Sequence, residues 1–124
     1  MEIALDHLLW AAPDLDAGSA LFEQITGIAP VAGGAHPGFG TRNALTSLSG
    51  DEYLEIISPD PTQDLAGTRG GLIAEMTRPQ MLTFALRAGD LEAVARRARD
   101  AGLVAEGPID MSRAMPEGGR LEWR

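Results

Sequence analysis

The hydrophobic pattern of the chain repeats one strand-then-helix unit twice. An apolar, strand-like run covers residues 5–12, and a similar run covers residues 81–88. Each run is followed by an aspartate, Asp14 or Asp90, and then by apolar residues at helical spacing. An aspartate at a helix start accepts hydrogen bonds from the free backbone N–H groups of the first turn. The pattern therefore predicts two strand–helix units of the same kind.

Each predicted helix ends at a glycine. Gly27 closes the first helical pattern and Gly102 closes the second, and an apolar residue follows each of them. Glycine readily adopts the left-handed conformation that ends many helices. Because the two copies also share the preceding strand, a genuine repeat is favoured over a chance match of capping signals.

The segment after the first helix predicts turns and further strands. Residues 33–40 are rich in glycine and predict turns, whereas residues 43–48 and 53–57 are apolar enough to predict strands. Prolines follow at Pro59 and Pro61 and end the first unit, because proline cannot donate to a strand ladder. The first unit is therefore a strand, a helix and two or three more strands.

The rest of the chain predicts a linker and a shorter second unit. Residues 62–80 contain several glycines and read as a linker, with one helical turn at 72–76. The second unit ends in a predicted strand at 120–123, where the sequence stops. A length of 124 residues suits one domain. We expect a single domain over 1–124, with module one at 1–61, the linker at 62–80 and an incomplete module two at 81–124.

Composition narrows the classes of function. The formal net charge is −8, which opposes binding to nucleic acid or to an anionic membrane surface. Cysteine is absent, which excludes disulfides and thiolate metal sites. The sequence has neither a signal-peptide pattern at its start nor an apolar run long enough to span a bilayer. These features predict a cytoplasmic protein.

Two stretches of sequence resemble a known superfamily. Residues 5–10, Leu-Asp-His-Leu-Leu-Trp, followed by Pro-Asp-Leu at 13–15, resemble the opening of the vicinal oxygen chelate superfamily, which includes glyoxalases, bleomycin-resistance proteins and dioxygenases. Residues 34–43 and then 53–55 are similar to its bacterial glyoxalase-like domain family. The resemblance implies an α+β fold in which paired βαβββ modules form an open, curved, mostly antiparallel sheet with helices on the outer face.

The resemblance implies a divalent metal site at His7 and Glu55. Metal enzymes of the superfamily take one ligand from the first strand of a module and a carboxylate from its last strand, and these two residues occupy those positions. Such a pair leaves open positions on the ion, where a substrate with adjacent oxygens can chelate. Glu55 is also the candidate catalytic residue. A packed, hydrogen-bonded His7 and an outward-facing Glu55 are the alternatives, since apolar residues flank Glu55 on both sides.

Four further residues are candidates for substrate binding. His36 lies in the glycine-rich segment, which is either a plain turn or a loop that contacts substrate. Thr41 and Asn43 can donate hydrogen bonds into the same cleft, although Asn43 can instead close a turn. Alignment of the two copies places Thr83 at the position equivalent to His7. Threonine is a poor metal ligand, so we expect Thr83 to face the cleft and hold a water.

Two functions from different classes follow from the resemblance. One is a metal-assisted lyase, isomerase or ring-cleaving dioxygenase for a small oxygenated substrate, favoured by the pairing of His7 with Glu55. The other is a metal-free protein that binds or sequesters a small molecule, favoured by Thr83 and by the lack of a second carboxylate. A third hypothesis is an incomplete domain without activity of its own. The second module looks about two strands short, and an unpaired sheet edge recruits partners, so we expect a homodimer.

Overall fold

The computed structural model describes residues 2–124, which form seven strands and three helices. In chain order these are β1 (Ile3–Ala11), α1 (Leu15–Thr26), β2 (Val31–His36), β3 (Thr41–Ser47), β4 (Tyr53–Pro59), α2 (Arg69–Ala74), β5 (Gln80–Ala88), α3 (Leu91–Asp100), β6 (Met111–Ala114) and β7 (Arg120–Trp123). Five strands form one sheet in the order β2-β3-β4-β1-β5, and β6 and β7 form a separate hairpin. Only β1 and β4 are parallel within the large sheet. The predicted α+β fold with an open, mostly antiparallel sheet is confirmed.

The signals that predicted the repeat are present as local structure. The side chains of Asp14 and Asp90 each accept a hydrogen bond from the backbone N–H three residues on, at 2.7 and 2.8 Å. Gly27 ends α1 with a φ of 75°, and Gly102 lies one residue beyond the cap of α3 with a φ of 83°. The first strands of the two copies, β1 and β5, are antiparallel neighbours in the sheet. The module boundaries themselves stay a prediction.

Strand β4 is covered on both faces. Its residues Leu54 and Ile56 pack on the α1 side of the sheet, where Trp10 contacts Phe22 at a ring-centroid distance of 5.9 Å. On the opposite face Ile57 packs with a second group of buried side chains, namely Leu9, Ala11 and Ile73 of α2. Fully burying one such large side chain stabilises the fold by about 1.5–3 kcal/mol. Leu54 and Ile56, which flank Glu55, therefore both face α1, whereas Ile57 lies on the opposite face together with Glu55.

The glycine-rich segment is a strand where the sequence predicted turns. The turn covers only residues 37–40, and β2 occupies residues 31–36. A Cβ atom on Gly33 would overlap the side chain of Asn43, and one on Gly34 would overlap the backbone carbonyl oxygen of Ala114 in β6. Glycine within a strand marks a place where other chain segments approach closely. The turn prediction was wrong here because these glycines provide space, not a reversal of direction.

The second half of the chain is less well packed than the first. Helix α2 begins three residues before the predicted helical turn, and β6 had no sequence prediction. Strand β5 is the edge of the sheet, and it leaves several large apolar side chains exposed: Met81, Leu82, Phe84 and Leu86. The homodimer expected from such an edge stays a prediction. Among residues 2–124 no helix combines the length and apolar character needed to cross a lipid bilayer.

Candidate functional site

A cavity of about 710 Å³ lies over the face of the sheet opposite α1. Side chains two residues apart in a strand share a face, so one register places a set of alternate residues in this cavity. The set comprises His7 and Leu9 from β1, Thr41, Asn43 and Leu45 from β3, and Tyr53, Glu55 and Ile57 from β4. The hairpin β6–β7 contributes Met111, Arg113, Leu121 and Trp123 to the cavity lining.

His7 is held between two carboxylates and an aromatic ring. Its Nε2 atom lies 3.2 Å from Oε2 of Glu55, and its Nδ1 atom lies 2.7 Å from Oδ2 of Asp6. The ring of Tyr53, the register partner of His7 on β4, stacks on the imidazole at 4.5 Å. Adjacent residues in a strand normally point to opposite faces, but a register shift between Leu5 and His7 interrupts β1. This irregularity lets Asp6 and His7 both line the cavity.

Glu55 is the centre of a buried hydrogen-bond network. The residue is only 6% exposed, and its Oε1 atom accepts a hydrogen bond of 2.9 Å from the side-chain amide of Asn43. The amide oxygen of Asn43 in turn accepts from the backbone N–H of Gly34 at 2.9 Å. His36 lies with Nε2 at 3.6 Å from Glu55 Oε1 and with Nδ1 at 2.8 Å from Oγ1 of Thr41. Every polar group of this network has a partner, as a buried charge requires.

The surroundings give the three titratable groups different charges. Burial by itself raises the pKa of Glu55, but hydrogen bonds from His7 and Asn43 outweigh it and the net pKa is lowered. Burial lowers the pKa of His7, but hydrogen bonds to Glu55 and Asp6 outweigh it and the net pKa is raised. Burial also lowers the pKa of His36, and there it prevails over the attraction of Glu55. Near neutral pH Glu55 is therefore an anion and His36 a neutral imidazole, whereas His7 retains its proton to a higher pH than usual.

The contact between Nε2 of His7 and Oε2 of Glu55 needs a proton or a cation between the two atoms. When Nδ1 of His7 donates to Asp6, its Nε2 atom carries either a proton or a lone pair. A lone pair facing a carboxylate oxygen at 3.2 Å is repulsive, so a proton or a cation belongs between the two atoms. Two ligand atoms that share one ion at about 2.0–2.2 Å lie about 3 Å apart, as these two atoms do. The pair therefore fits a divalent metal, with Asp6 orienting the imidazole as metal-binding histidines require.

The donor set for such a metal is small. In the part of the chain that the structure describes, no group of three or more histidine, aspartate or glutamate side chains is arranged to hold a metal ion. His36 directs its ring nitrogens at Thr41 and Asn43, and its Nε2 atom lies 3.6 Å from Oε1 of Glu55, the carboxylate oxygen that does not face His7. A metal at His7 and Glu55 would keep most of its coordination positions open for water or for a chelating substrate.

The structure brings five of the six sequence candidates together and places the sixth at the edge. His36 is the last residue of β2 and is 4% exposed, which corrects its expected position in a loop. Asn43 lies within β3 and closes no turn. Thr83 lies on β5 opposite Leu9 and is exposed, although it lines the same cavity.

Sequence reasoning missed the residues that support these candidates. Gln63, from the predicted linker, donates its side-chain N–H groups to the backbone carbonyls of His36 and Thr41 at 3.2 and 3.4 Å. Its amide oxygen accepts from the backbone N–H groups of Gly38 and Gly40. This one side chain fixes the turn that joins β2 to β3. A lone glutamine in a glycine-rich linker carries no signal of such a role.

Tyr53 belongs to residues 53–55, which resemble the glyoxalase-like domain family, but the sequence indicates no role for its side chain. Burial and the negative charges of Asp6 and Glu55 raise the pKa of Tyr53 to about 12. Its phenol therefore stays protonated at neutral pH. Tyr53 therefore lines the site as an uncharged ring that stacks on His7, and it does not act as a base.

The comparisons with known proteins agree with this architecture. A hypothetical protein from Staphylococcus aureus matches with 26% identity and a TM-score of 0.78, over 98% of this chain and 51% of that one, so the present chain spans about half its length. Methylmalonyl-CoA epimerase from Mycobacterium tuberculosis matches with 22% identity and a TM-score of 0.64, over 95% and 75% of the two chains. A variant of the Streptomyces coelicolor epimerase, in complex with 2-nitronate-propionyl-CoA, matches with 24% identity and a TM-score of 0.65, over 95% and 84%.

No curated protein matches the chain. The family model for the glyoxalase-like domain matches residues 5–124, which is nearly the whole sequence and includes both strand–helix units and all six candidate residues. The resemblance, which is strong over residues 5–59 and weaker over residues 81–124 of the sequence, thus holds for both halves. The chain belongs to the glyoxalase-like domain family.

Proposed function

We propose that this domain binds a divalent cation at His7 and Glu55 and acts on a small oxygenated substrate in the adjoining cavity. The observation that carries the proposal is the 3.2 Å contact between His7 Nε2 and Glu55 Oε2 at the wall of that cavity. A bound metal would polarise a substrate carbonyl and stabilise negative charge on its oxygen. Three neighbouring side chains support metal binding by the pair, and each of them makes a different contact.

Each neighbour holds one of the two ligands in place. Asp6 accepts from His7 Nδ1 and so leaves Nε2 as the atom that faces the cation. The ring of Tyr53 restricts the orientation of the imidazole by stacking. Asn43 donates to Oε1 of Glu55, which leaves Oε2 directed at His7. These three contacts fix the orientation of both proposed ligand side chains.

Among the reaction types considered, the solved neighbours favour an isomerase over a lyase or dioxygenase. Two of them are methylmalonyl-CoA epimerases, and epimerisation next to a carbonyl removes one proton to form an enolate and then returns a proton to the opposite face of that carbon. Glu55, kept ionised, is the residue that we assign to take up or guide that proton. We expect exchange of the C3 protons of 2-oxobutanoate with D₂O, followed by proton NMR, to be faster with zinc-loaded protein than with its Glu55→Gln variant. Equal rates would exclude this role for Glu55.

A zinc titration by calorimetry, on protein freed of any affinity tag, tests the metal itself. We expect one ion per chain, with an affinity that falls about tenfold per pH unit once the pH is below the pKa of His7, because metal and proton compete for Nε2. Since Asp6 and Glu55 raise that pKa, the decline should begin at a higher pH than for an ordinary histidine. Absence of zinc uptake at pH 8 would count against the proposal.

The second candidate is a metal-free binding protein. It is favoured by the finding that no three-residue metal set exists among residues 2–124 and by the exposed position of Thr83. In that case His7 is an imidazolium that bridges Asp6 and Glu55, and its proton takes the place of the cation. The same titration separates the two functions, because the binding protein would take up no zinc at any pH while still binding ligand.

A further inference from the structure

Four arginines line the cavity, and they differ in their partners. The side chain of Arg87 lies 3.8 Å from Asp6 and 3.9 Å from Glu52. Arg124 pairs with Glu92 at 2.8 Å and with Asp110 at 3.3 Å. The other two, Arg69 and Arg113, form no ion pair with any carboxylate of residues 2–124. The cavity therefore contains two guanidinium groups whose charge the described chain does not neutralise.

Both groups belong to the lining of the cavity that also includes His36. Arg69 is the first residue of α2, and Arg113 lies within β6. Strand β6 approaches β2 closely at Gly34, where only the absence of a Cβ leaves room for the carbonyl oxygen of Ala114. The charges of both arginines act on His36, the last residue of β2, and contribute to the lowering of its pKa. The backbone N–H of Gly70 donates to the carbonyl of Phe39 at 3.0 Å, so the start of α2 and the end of β6 both lie close to the end of β2, where His36 adjoins Glu55.

Seven of the ten arginines form no ion pair within residues 2–124, and Arg69 and Arg113 are the two of these seven that line the cavity. A planar guanidinium presents paired N–H donors that match the two oxygens of a carboxylate. Arginines that line a cavity without such a partner are suited to bind the carboxylate of a ligand.

The remainder of the lining indicates what else the ligand carries. Apolar side chains of both halves of the chain cover much of the cavity: Leu9, Phe39, Leu45, Ile57, Phe84, Leu86, Met111, Leu121 and Trp123. The edge of Trp123 faces the ring of His36 at a centroid distance of 6.1 Å. A ligand that fills this space has an apolar body of moderate size.

We propose that Arg69 and Arg113 form an anion subsite, and that the substrates are small carboxylic acids with an apolar body and a second oxygen near the carboxylate. The assignment of the second oxygen rests on the proposed function, because that oxygen is the one to reach the His7–Glu55 pair. The carboxylate subsite itself needs no metal. It would orient the ligand with its charged end at the hairpin wall and its apolar body along the sheet.

Calorimetry with 3-phenyllactate and with its methyl ester tests this subsite. The acid has a carboxylate, an adjacent hydroxyl and an apolar ring, whereas the ester lacks only the charge. We expect the acid to bind wild-type protein at least about tenfold more tightly than the ester, since the charged hydrogen bonds are lost with the ester. Arg69→Met and Arg113→Met should each weaken binding of the acid about tenfold and leave binding of the ester unchanged.

Arg96→Met is the matched control, because Arg96 also forms no ion pair within residues 2–124 but lies exposed on α3, outside the cavity lining. It should bind the acid as wild type does, and Arg113→Lys, a milder replacement, should lie between wild type and Arg113→Met. Equal binding of acid and ester, no binding of the acid, or wild-type affinity in both methionine variants would overturn the subsite.

Zinc titrations of the same variants separate this proposal from the proposed function. Arg69 and Arg113 are outside the metal pair, so their methionine variants should take up zinc as wild type does. Acid binding that depends on the arginines, in a protein without zinc uptake, would retain the subsite and reject the metal. Zinc uptake with equal binding of acid and ester would retain the metal and reject the subsite.

Discussion

Replacing Asn43 with leucine should lower the free energy of unfolding by about 3–5 kcal/mol. The amide donates to Glu55 and accepts from the backbone N–H of Gly34, and the residue is almost fully buried. Leucine has a similar volume but leaves a buried carboxylate short of a donor and a buried N–H without an acceptor. Urea denaturation at neutral pH measures the loss. The difference in unfolding free energy between wild type and Asn43→Leu should shrink on acidification. The pKa of Glu55 is lowered in the folded protein, so wild type loses the stabilising interactions of this carboxylate as the pH falls through that pKa.

Thr46→Val provides the matched control for this experiment. Thr46 is also buried on β3, but its hydroxyl has no hydrogen-bond partner within the described chain. Valine has nearly the same shape, so the unfolding free energy should stay within about 1 kcal/mol of wild type or rise slightly. If Asn43→Leu cost no more than Thr46→Val, the hydrogen-bond network around Glu55 would contribute nothing to stability.

His7→Ala should abolish measurable zinc binding while the protein remains folded. Loss of a group that only orients a metal ligand costs about 10–100-fold in affinity, and loss of the ligand itself costs more. Asp6→Asn should therefore fall between wild type and His7→Ala, because it weakens the orientation of the imidazole but leaves Nε2 in place. Calorimetry gives the affinities, and circular dichroism shows whether each variant is folded.

Thr83→Ala is the control at the cavity edge. Thr83 is exposed and its hydroxyl makes only a 3.5 Å contact with the carbonyl of Phe84, so its loss should leave zinc affinity unchanged. Equal zinc affinity in wild type and His7→Ala would reject the assignment of His7. A loss in Thr83→Ala as large as in His7→Ala would place the metal elsewhere in the cavity.

Local signals predicted the helices of this fold well and its strands less well. Asp14 and Gly27 each act within a few residues of their own position, so the bounds of α1 followed from the sequence. Strand β2 was read as turns because Gly33 and Gly34 leave space for Asn43 and Ala114, which lie far away in sequence. The reason for a glycine is invisible when the group that it accommodates belongs to another segment.

In the candidate site, too, residues within a local motif could be predicted, whereas residues that act through long-range contacts could not. His7 and Glu55 occupy motif positions and were identified as candidates, but the face on which Glu55 lies could not be predicted, because β4 has a core on each side. Gln63 and Arg113 come from segments that read as a linker and a loop. Their roles depend on contacts with residues distant in the sequence, and such contacts cannot be predicted from the spacing of residues along the chain.

The separation of the β6–β7 hairpin from the main sheet has a consequence for local stability. We expect a segment outside the main ladder to open at a lower free energy than a central strand such as β4. The cavity is lined by two separately hydrogen-bonded units, with Glu55 in the main sheet and Arg113 in the hairpin. Any ligand that contacts both units stabilises the closed hairpin by its own binding energy. Amide hydrogen exchange in residues 111–123 would then report on occupancy of the cavity, even for a ligand that leaves the main sheet unchanged.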